Sequence, residues 1–389
     1  MFAGQLIFAQ LMEFVPRHQF NACVRRYRGD YRARDFTCRD QFLCMAFAQL
    51  TGRESLRDIE TCLRAVSPKL YHAGFRSRVA RNTLAKANER RDWRIYADFA
   101  QTLIARAQHL YAEEPLGIDL EAAAYALDSA TIELSLGLFP WAHAQRAKAA
   151  VKLHTLLDLH GNIPTFVRIS RTKTSDSAVL DEVPVVAGAY YVLDRGYNDF
   201  GRLYRLAGAG ALFVVRVRKN ITFKRRRSQP IDKTAGLRSD QIVVFHDRRT
   251  HAKYPQPLRR ITFVDLATGR RFRFLTNDLV LPALTIVELY RCRWQIELFF
   301  KWIKGHLRIR RFLGRSPNAV KTQIWIAVSV YVLVAIIRRE LGIQRSLYEI
   351  LQILSVTLFE NQPLFPLLSQ TNLPTFKGPD HNQLPLFDF

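Results

Sequence analysis

The chain has 389 residues, enough for two or three domains with substantial cores. Its 48% hydrophobic and 24% charged residues give the composition of a globular protein and exclude a disordered one. With 58 Lys and Arg against 34 Asp and Glu, the formal net charge of +24 points to a polyanion such as nucleic acid. No long basic amphipathic helix suggests a membrane surface instead.

The first 14 residues, MFAGQLIFAQLMEF, carry no basic leader and place Glu13 inside the apolar run, which makes a poor signal peptide. Four of the five cysteines (Cys23, Cys38, Cys44, Cys62) fall in the first 62 residues without a CxxC pair. That favours free thiols in a reducing cytoplasm over a zinc site. Residues 1–115 read as an all-helical N-terminal domain, with breakers at Arg28-Gly29-Asp30 and Thr51-Gly52. Within it, Glu54–Arg64 presents Leu56, Ile59 and Leu63 on one side. After a link near Pro68 to Phe75, a segment from a Ser77 cap to Arg91 carries Arg78, Arg81, Lys86, Arg90 and Arg91. A helix-turn-helix reader with the second helix in a major groove fits this pair, and so does a basic surface helix in a bundle.

Near Pro115 the texture changes. Residues 122–134 form an apolar run that reaches Asp128, and Ala150–Asp158 and Thr165–Thr172 read as a hairpin around His160-Gly161-Asn162. Asp176–Val186 is expected to be a short helix, Ala189–Asp194 a strand ending in Asp194, Phe200–Leu206 a helix and Ala211–Val217 a buried strand. This order predicts a mixed α/β sheet over 116–218. From Arg216 to Arg273, 17 Lys or Arg face four Asp, a local net charge of +13, in strand-like runs joined by turns. We read 219–281 as a basic β insertion, with Arg225 and Arg226 in the run Lys224–Arg227 suited to phosphate contacts. Residues 282–345 return to helix, and 346–389 form a C-terminal helix and tail. The 14-residue apolar run Ile324–Ile337 is short for a membrane span and reads as a buried helix.

The stretch Tyr290–Lys304 has no Gly or Pro and is expected to be one helix. At about 100° per residue, Tyr290, Arg293, Glu297 and Lys304 share one face, within roughly 60° of each other, beside an apolar stripe of Ile296, Phe300, Ile303 and Leu307. Asp128 and Asp194, each expected at a strand end of one sheet, and Glu297, on a helix packed against that sheet, can converge. Three converging carboxylates repel unless divalent cations neutralise them, and two such ions can activate an attacking oxygen and stabilise a leaving one in phosphodiester chemistry.

At this point the chain resembles a known family. LDSATIEL, YVLDRGY and the Y-x2-R-x3-E-x6-K spacing of Tyr290, Arg293, Glu297 and Lys304 look like the three motifs of DDE transposases. The last is that of the insertion-sequence family defined by the Y-R-E-K signature, the "IS-four" family. The similarity covers roughly residues 1–340, including RNTLAKANERRDWRIY in the N-terminal region. It implies an RNase H-like catalytic core interrupted by a β-rich insertion, with Asp128, Asp194 and Glu297 as catalytic ligands of Mg2+ or Mn2+. It further implies Tyr290, Arg293 and Lys304 on transposon-end phosphates.

The expected activity is therefore that of a DNA transposase, cytoplasmic and nucleoid-associated, acting on transposon ends and target DNA as a homodimer in a synaptic complex, with no membrane partner. Two other readings stay open: a metal-dependent nuclease without strand transfer, and a catalytically silent DNA-binding derivative. One departure stands out. No Trp lies between Trp141 and Trp294 to receive a flipped base, so Tyr254 or Phe263 would have to serve if flipping occurs. His154 is expected to be structural or to contact phosphate. Asp176 and Asp199 are read as caps, and Ser129 lacks the His-Asp support a nucleophile needs.

Overall fold

In the computed structural model the described residues are 5–76, 78–134, 141, 149–171, 174–305 and 312–369. They fall into two compact units. One is drawn from Met1–Ala112, Thr131–Lys152 and Phe299–Leu373, the other from Glu113–Ala130 and Leu153–Leu298.

The first unit is helical. In chain order its helices are α1 (Ile7–Glu13), α2 (Arg17–Arg26), α3 (Cys38–Leu50), α4 (Leu56–Ala65), α5 (Arg81–Arg90) and α6 (Arg94–Tyr111). Helix α3 opens on a reciprocal capping box between Thr37 and Asp40. Phe20, Phe42 and Phe99 lock α2, α3 and α6 through edge-on contacts, with Phe99 5.0 Å from Phe20 and 5.4 Å from Phe42. The expected basic helix is shorter than its segment. Ala80 is its N-cap, without a side-chain cap bond, and Ser77 lies outside the described residues. Residues 66–80 separate α4 from α5, far more than the roughly three or four residues of a helix-turn-helix turn, so this pair does not have that geometry. Cys23, Cys38 and Cys44 are free and buried, and Cys62 is free and partly buried.

The second unit is built on a nine-stranded sheet. In chain order the strands and helices are β1 (Ala124–Leu134), β2 (Ala149–Asp158), β3 (Ile163–Arg171), β4 (Tyr190–Leu193), α7 (Phe200–Gly208), β5 (Leu212–Arg216), β6 (Phe223–Ser228), β7 (Leu237–Phe245), α8 (Arg248–Lys253), β8 (Leu258–Val264), β9 (Arg271–Thr276), α9 (Ala283–Cys292) and α10 (Trp294–Gly305), of which residues 131–134, 149–152 and 299–305 group with the helical unit. The strand order is β3-β2-β1-β4-β5-β9-β8-β7-β6. β4 pairs in parallel with β1 and β5, whereas β5–β9, β9–β8, β8–β7 and β7–β6 are antiparallel. The residues read as a basic β insertion thus hydrogen-bond into one sheet with the strands before them. The exposed run Lys224–Arg227 lies on the edge strand β6, where charge also blunts edge-to-edge pairing.

Alternation along the central strands sends successive side chains to opposite faces. Tyr191, Leu193, Phe213 and Val215 join Phe200, Leu203 and Leu206 of α7 in one core. Val192 and Val214 point to the other face, where Tyr290 of α9 meets Phe274 of β9 with ring centroids 4.6 Å apart. Burial on both faces explains why these strands read as unbroken apolar runs. Asp176–Asp181 forms only a short 3-10 helix, and Pro184 just beyond it offers no N–H to extend one.

The chain closes with α11 (Pro317–Glu340), α12 (Leu347–Thr357) and α13 (Leu364–Ser369), which belong to the helical unit. The apolar run Ile324–Ile337 is the middle of α11. At 24 residues α11 is long and apolar enough to cross a membrane, yet 94% of its most apolar window is buried. It packs on α6, α3, α5 and α12. The Tyr111 hydroxyl donates to the Ala335 carbonyl (2.9 Å), and the Asn318 amide donates to the carbonyls of Asn88 and Arg91. This is a core helix.

A buried ion pair fixes the approach to α9. Arg259 and Asp240, each with a side chain only 3% exposed, meet through Nε (2.9 Å) and Nη2 (2.7 Å). Arg259 also donates to the Leu281 carbonyl, just before α9. Asp278 accepts the backbone N–H groups of Val280 and Leu281 and the Tyr190 hydroxyl. Asp240→Ala strands a buried guanidinium and is expected to cost about 3–5 kcal/mol, whereas the paired Asp240→Leu/Arg259→Met exchange should be close to neutral. Urea denaturation of the three proteins measures both, and equal losses in the single and double variants would refute the pairing.

Candidate active site

Parallel pairing of β1 with β4 matches Leu127 to Leu193, so Asp128 and Asp194, one residue further on, sit side by side. Neighbouring strands lie only about 4.8 Å apart. Alternation puts both carboxylates on the face with Val192 and α9. Asp194 ends its strand as expected, before a 3-10 turn at Arg195–Tyr197. Asp128 does not, because β1 runs on to Leu134 and holds Asp128 in mid-strand.

The expected single helix Tyr290–Lys304 is two. α9 ends at Cys292, Arg293 is the joint, and α10 starts at Trp294. Tight i-to-i−3 bonds, Arg293 N–H to Tyr290 O (3.2 Å) and Ile296 N–H to Arg293 O (3.1 Å), turn the chain there. The joint brings Arg293 inward. Its Nη1 donates to Asp128 Oδ2 (2.7 Å) and its Nη2 to Glu297 Oε1, so one guanidinium bridges two of the three carboxylates. The Tyr290 hydroxyl reaches Asp194 Oδ1 at 3.4 Å, and the Arg293 guanidinium lies 5.6 Å from the Tyr290 ring. Ile296, Phe300 and Ile303 are buried as expected, while Leu307 lies outside the described residues. Lys304 is on the part of α10 that belongs to the helical unit.

The charges are crowded. Burial raises the Asp128 carboxyl to about 6, with Asp194 and Glu297 adding to the rise, although Arg293 and the Ser129 N–H pull it down. Burial works against the Arg293 cation, but Tyr290 and the three carboxylates more than offset it and hold the guanidinium charged. Burial pushes the Tyr290 phenol up to about 12.

Several neighbours escaped the sequence reading. Asp176 is not a cap; Ser175 holds the N-cap position, and Asp176 Oδ1 accepts the Ser129 hydroxyl at 2.6 Å. Ser129 in turn donates its N–H to Asp128 Oδ1 (2.7 Å). The buried His154 contacts Ser170 Oγ (2.8 Å), and its Nδ1 is 3.8 Å from Asp176 Oδ1, a structural placement. Tyr197 is buried with its hydroxyl unpaired, and burial together with Asp128, Asp176 and Asp194 raises its phenol. Arg216 stacks its guanidinium 4.8 Å from the Phe272 ring and feels both Tyr290 and Asp194. Alternation along β5 was the only sign of its orientation. Asp199, by contrast, does cap α7 through the Arg202 N–H (3.2 Å).

Arg78, Arg81 and Lys86 are exposed in the helical unit, and Arg225 and Arg226 are exposed on β6. Tyr254 and Phe263, expected as possible receivers of a flipped base, are 1% and 4% exposed and packed in cores. Neither offers a free ring face.

Oxygen donors of this kind suit Mg2+ or Mn2+, and such a cation would offset both the burial of Asp128 and its repulsion from Asp194 and Glu297. Among the described residues, however, no group of three His, Cys, Asp or Glu is arranged to hold a metal ion. Arg293 takes the acceptors a cation would use. The donor set fits the metal in kind, and the guanidinium stands in for its charge.

Residues 121–333 match the family described as "Transposase DDE domain", and residues 3–76 match "Domain of unknown function (DUF4372)". The chain is 32% identical over 287 residues to the putative transposase y4zB of Sinorhizobium fredii, across 72% of this chain and 78% of that protein. It is 29% identical over 209 residues to the probable transposase for insertion sequence element IS5377 of Geobacillus stearothermophilus, spanning 54% of that protein's length. A structure of the piggyBac transposase synaptic complex with hairpin DNA overlays at a TM-score of 0.45 and 11% identity, covering 94% of this chain and 82% of that one.

The electrostatics make a pH prediction. Asp128 titrates at about 6 when folded, above the roughly 3.9 of an unfolded Asp. The folded state therefore holds the proton more tightly, and the stability this provides is complete at low pH and lost as pH rises through about 6. In metal-free buffer, wild type should lose thermal stability relative to Asp128→Asn as pH goes from about 4 to about 7. A difference in Tm that stays constant over that range would contradict the crowding.

Proposed function

The chain belongs to the DDE transposase family, and from that premise we propose that it binds the terminal inverted repeats of an insertion sequence, cuts the strands at the element ends and joins the freed 3′-OH groups to target DNA. The observation that supports this most directly is the Arg293 guanidinium bridging Asp128 and Glu297, with Asp194 on the strand beside Asp128 and held by the Tyr290 hydroxyl. We assign these carboxylates to hold Mg2+ or Mn2+. Bound there, the metal would lower the cost of water attack on phosphorus and of the charge on the leaving oxygen.

The chain's own groups set the rest. Ser129, tied to Asp176, fixes one Asp128 oxygen through its N–H and leaves the other to the site. Arg293 and Tyr290 carry donors that would pass from the carboxylates to phosphate oxygens of the DNA end, with Lys304 and Arg216 as further cations. Arg78, Arg81 and Lys86 in the helical unit, and Arg225 and Arg226 on β6, are assigned to phosphate contacts away from the reacting bond. We assign β3-β2-β1-β4-β5 to an RNase H-like core and β6–β9 to the insertion. The change from parallel to antiparallel pairing at β5–β9 supports that division. Both ends of an element must be held at once, which calls for two copies of the chain on DNA in the cytoplasm.

The test is cleavage of duplexes carrying the terminal repeats with Mg2+. Asp194→Asn and Glu297→Ala should each lose about 10³-fold or more in cleavage rate while still binding DNA. Cleavage at wild-type rates in both variants would overturn the assignment. Cleavage without joined products would mark a nuclease, and tight binding without cleavage a silent derivative.

A further inference from the structure

Between α2 and α3 the chain makes a turn, Tyr27–Phe36, that is fastened from several sides. The Gly29 N–H donates to the Val24 carbonyl (2.9 Å). A Cβ at Gly29 would lie 2.5 Å from Ile95 Cδ1 and 2.6 Å from Cys38 Sγ, so only glycine lets the turn pack this closely. Asp30 accepts the Cys38 N–H (2.6 Å), and Arg91, at the end of α5, donates to the carbonyls of Phe36 and Thr37. The turn is therefore held rigidly beside α5.

Turn and helix enclose a cleft of about 490 Å³. Arg28 and Arg32 line it from the turn, Lys86 and Arg90 from α5, where their four-residue spacing puts them on one helical face. All four are exposed, and among the described residues none pairs with a carboxylate. Several nearby charges are already matched. Arg26 holds Asp98, Arg91 is spent on the turn, and the rim carboxylate Asp92 is gripped by Arg94 through Nε (3.0 Å) and Nη2 (2.6 Å). Tyr31 stands at the rim, 70% exposed, with the Arg32 guanidinium 5.1 Å from its ring. Arg28 and Arg32 have φ of +50° and +58°, a left-handed backbone that strains a residue with a Cβ and that glycine adopts freely. Unpaired like charges gathered in a preformed concavity, at positions where glycine would be the less strained choice, are suited to a polyanion.

We infer that this cleft is a phosphate-backbone site for duplex DNA, with Arg28, Arg32, Lys86 and Arg90 as the cations and the Tyr31 hydroxyl as an uncharged donor. The inference rests on the DNA-acting reading above and adds a surface distinct from Arg78 and Arg81 and from the carboxylate site. Because it grips phosphates, it holds DNA irrespective of base sequence and supplies part of the salt dependence of binding.

The experiment measures affinity for a labelled duplex against salt concentration, without divalent metal, on the full-length protein. Arg32→Gln/Arg90→Gln should flatten the slope of log K against log salt by roughly 1 per residue and weaken end-bearing and scrambled duplexes alike. Arg32→Lys/Arg90→Lys should keep the wild-type slope, and Lys86→Gln alone should remove roughly 1; unchanged melting of each variant reports an intact fold. Wild-type slope and affinity in the Gln variants, with steep salt dependence in the wild type, would overturn the cleft and leave the DNA-acting reading standing. Weakening confined to the end-bearing duplex would overturn the backbone assignment, since it would mark base readout. A wild type that binds no duplex would overturn both readings.

Discussion

Two aspartates at the same height of neighbouring parallel strands, with a glutamate brought in from a helix, repel one another unless positive charge lies between them. Arg293 supplies it. Its guanidinium is shared by Asp128 and Glu297, and that sharing requires the chain to turn between α9 and α10. The Arg259–Asp240 pair and Asp278 fix the loop leading into α9. Buried polar interactions in the antiparallel half of the sheet thus set the entry of the helix that carries Tyr290 and ends at the charge-balancing arginine.

The charge balance also constrains chemistry. A guanidinium that neutralises carboxylates has the same donors a phosphodiester would seek. In the proposed reaction, Arg293 would exchange a carboxylate for a phosphate as DNA and a divalent cation bind. Tyr290 stands in the same relation to Asp194 at 3.4 Å. The half-buried setting matters, because in a drier site such exchanges would carry larger desolvation penalties and in open water they would be too weak to organise anything.

In the helical unit ion pairs join Arg26 to Asp98, Arg94 to Asp92 and Arg106 to Glu340. The remaining positive charge is unevenly spread. It gathers in the cleft beside α5 and, in the other unit, along the exposed edge strand β6. Both are places where the backbone is firmly held and the cations are not. α11 provides much of that firmness in the helical unit. Its apolar length, which in another chain would suit a bilayer, is covered here by α6, α3 and α5.

Much of this was legible in the residues. The three motif carboxylates, the apolar strands around Asp128 and Asp194, the cap at Asp199 and the burial of Ile324–Ile337 follow from alternation, composition and local hydrogen bonding, which are properties of short stretches. The family followed from motif spacing. What stayed hidden depends on contacts between residues far apart in the chain. No Gly or Pro marks the break at Arg293, because it is the pull of Asp128 across 165 positions that rewards turning there. Asp176 read as a cap because its partner, Ser129, is 47 residues away. The Gly29 turn showed only as a breaker, and its two cations, Arg28 and Arg32, joined Lys86 and Arg90 in a cleft only when α5 was laid against it. Local pattern determined which residues form elements and which are candidates for chemistry. The tertiary structure alone decided which charges face each other, because electrostatic energy depends on distance in space and not on separation along the chain.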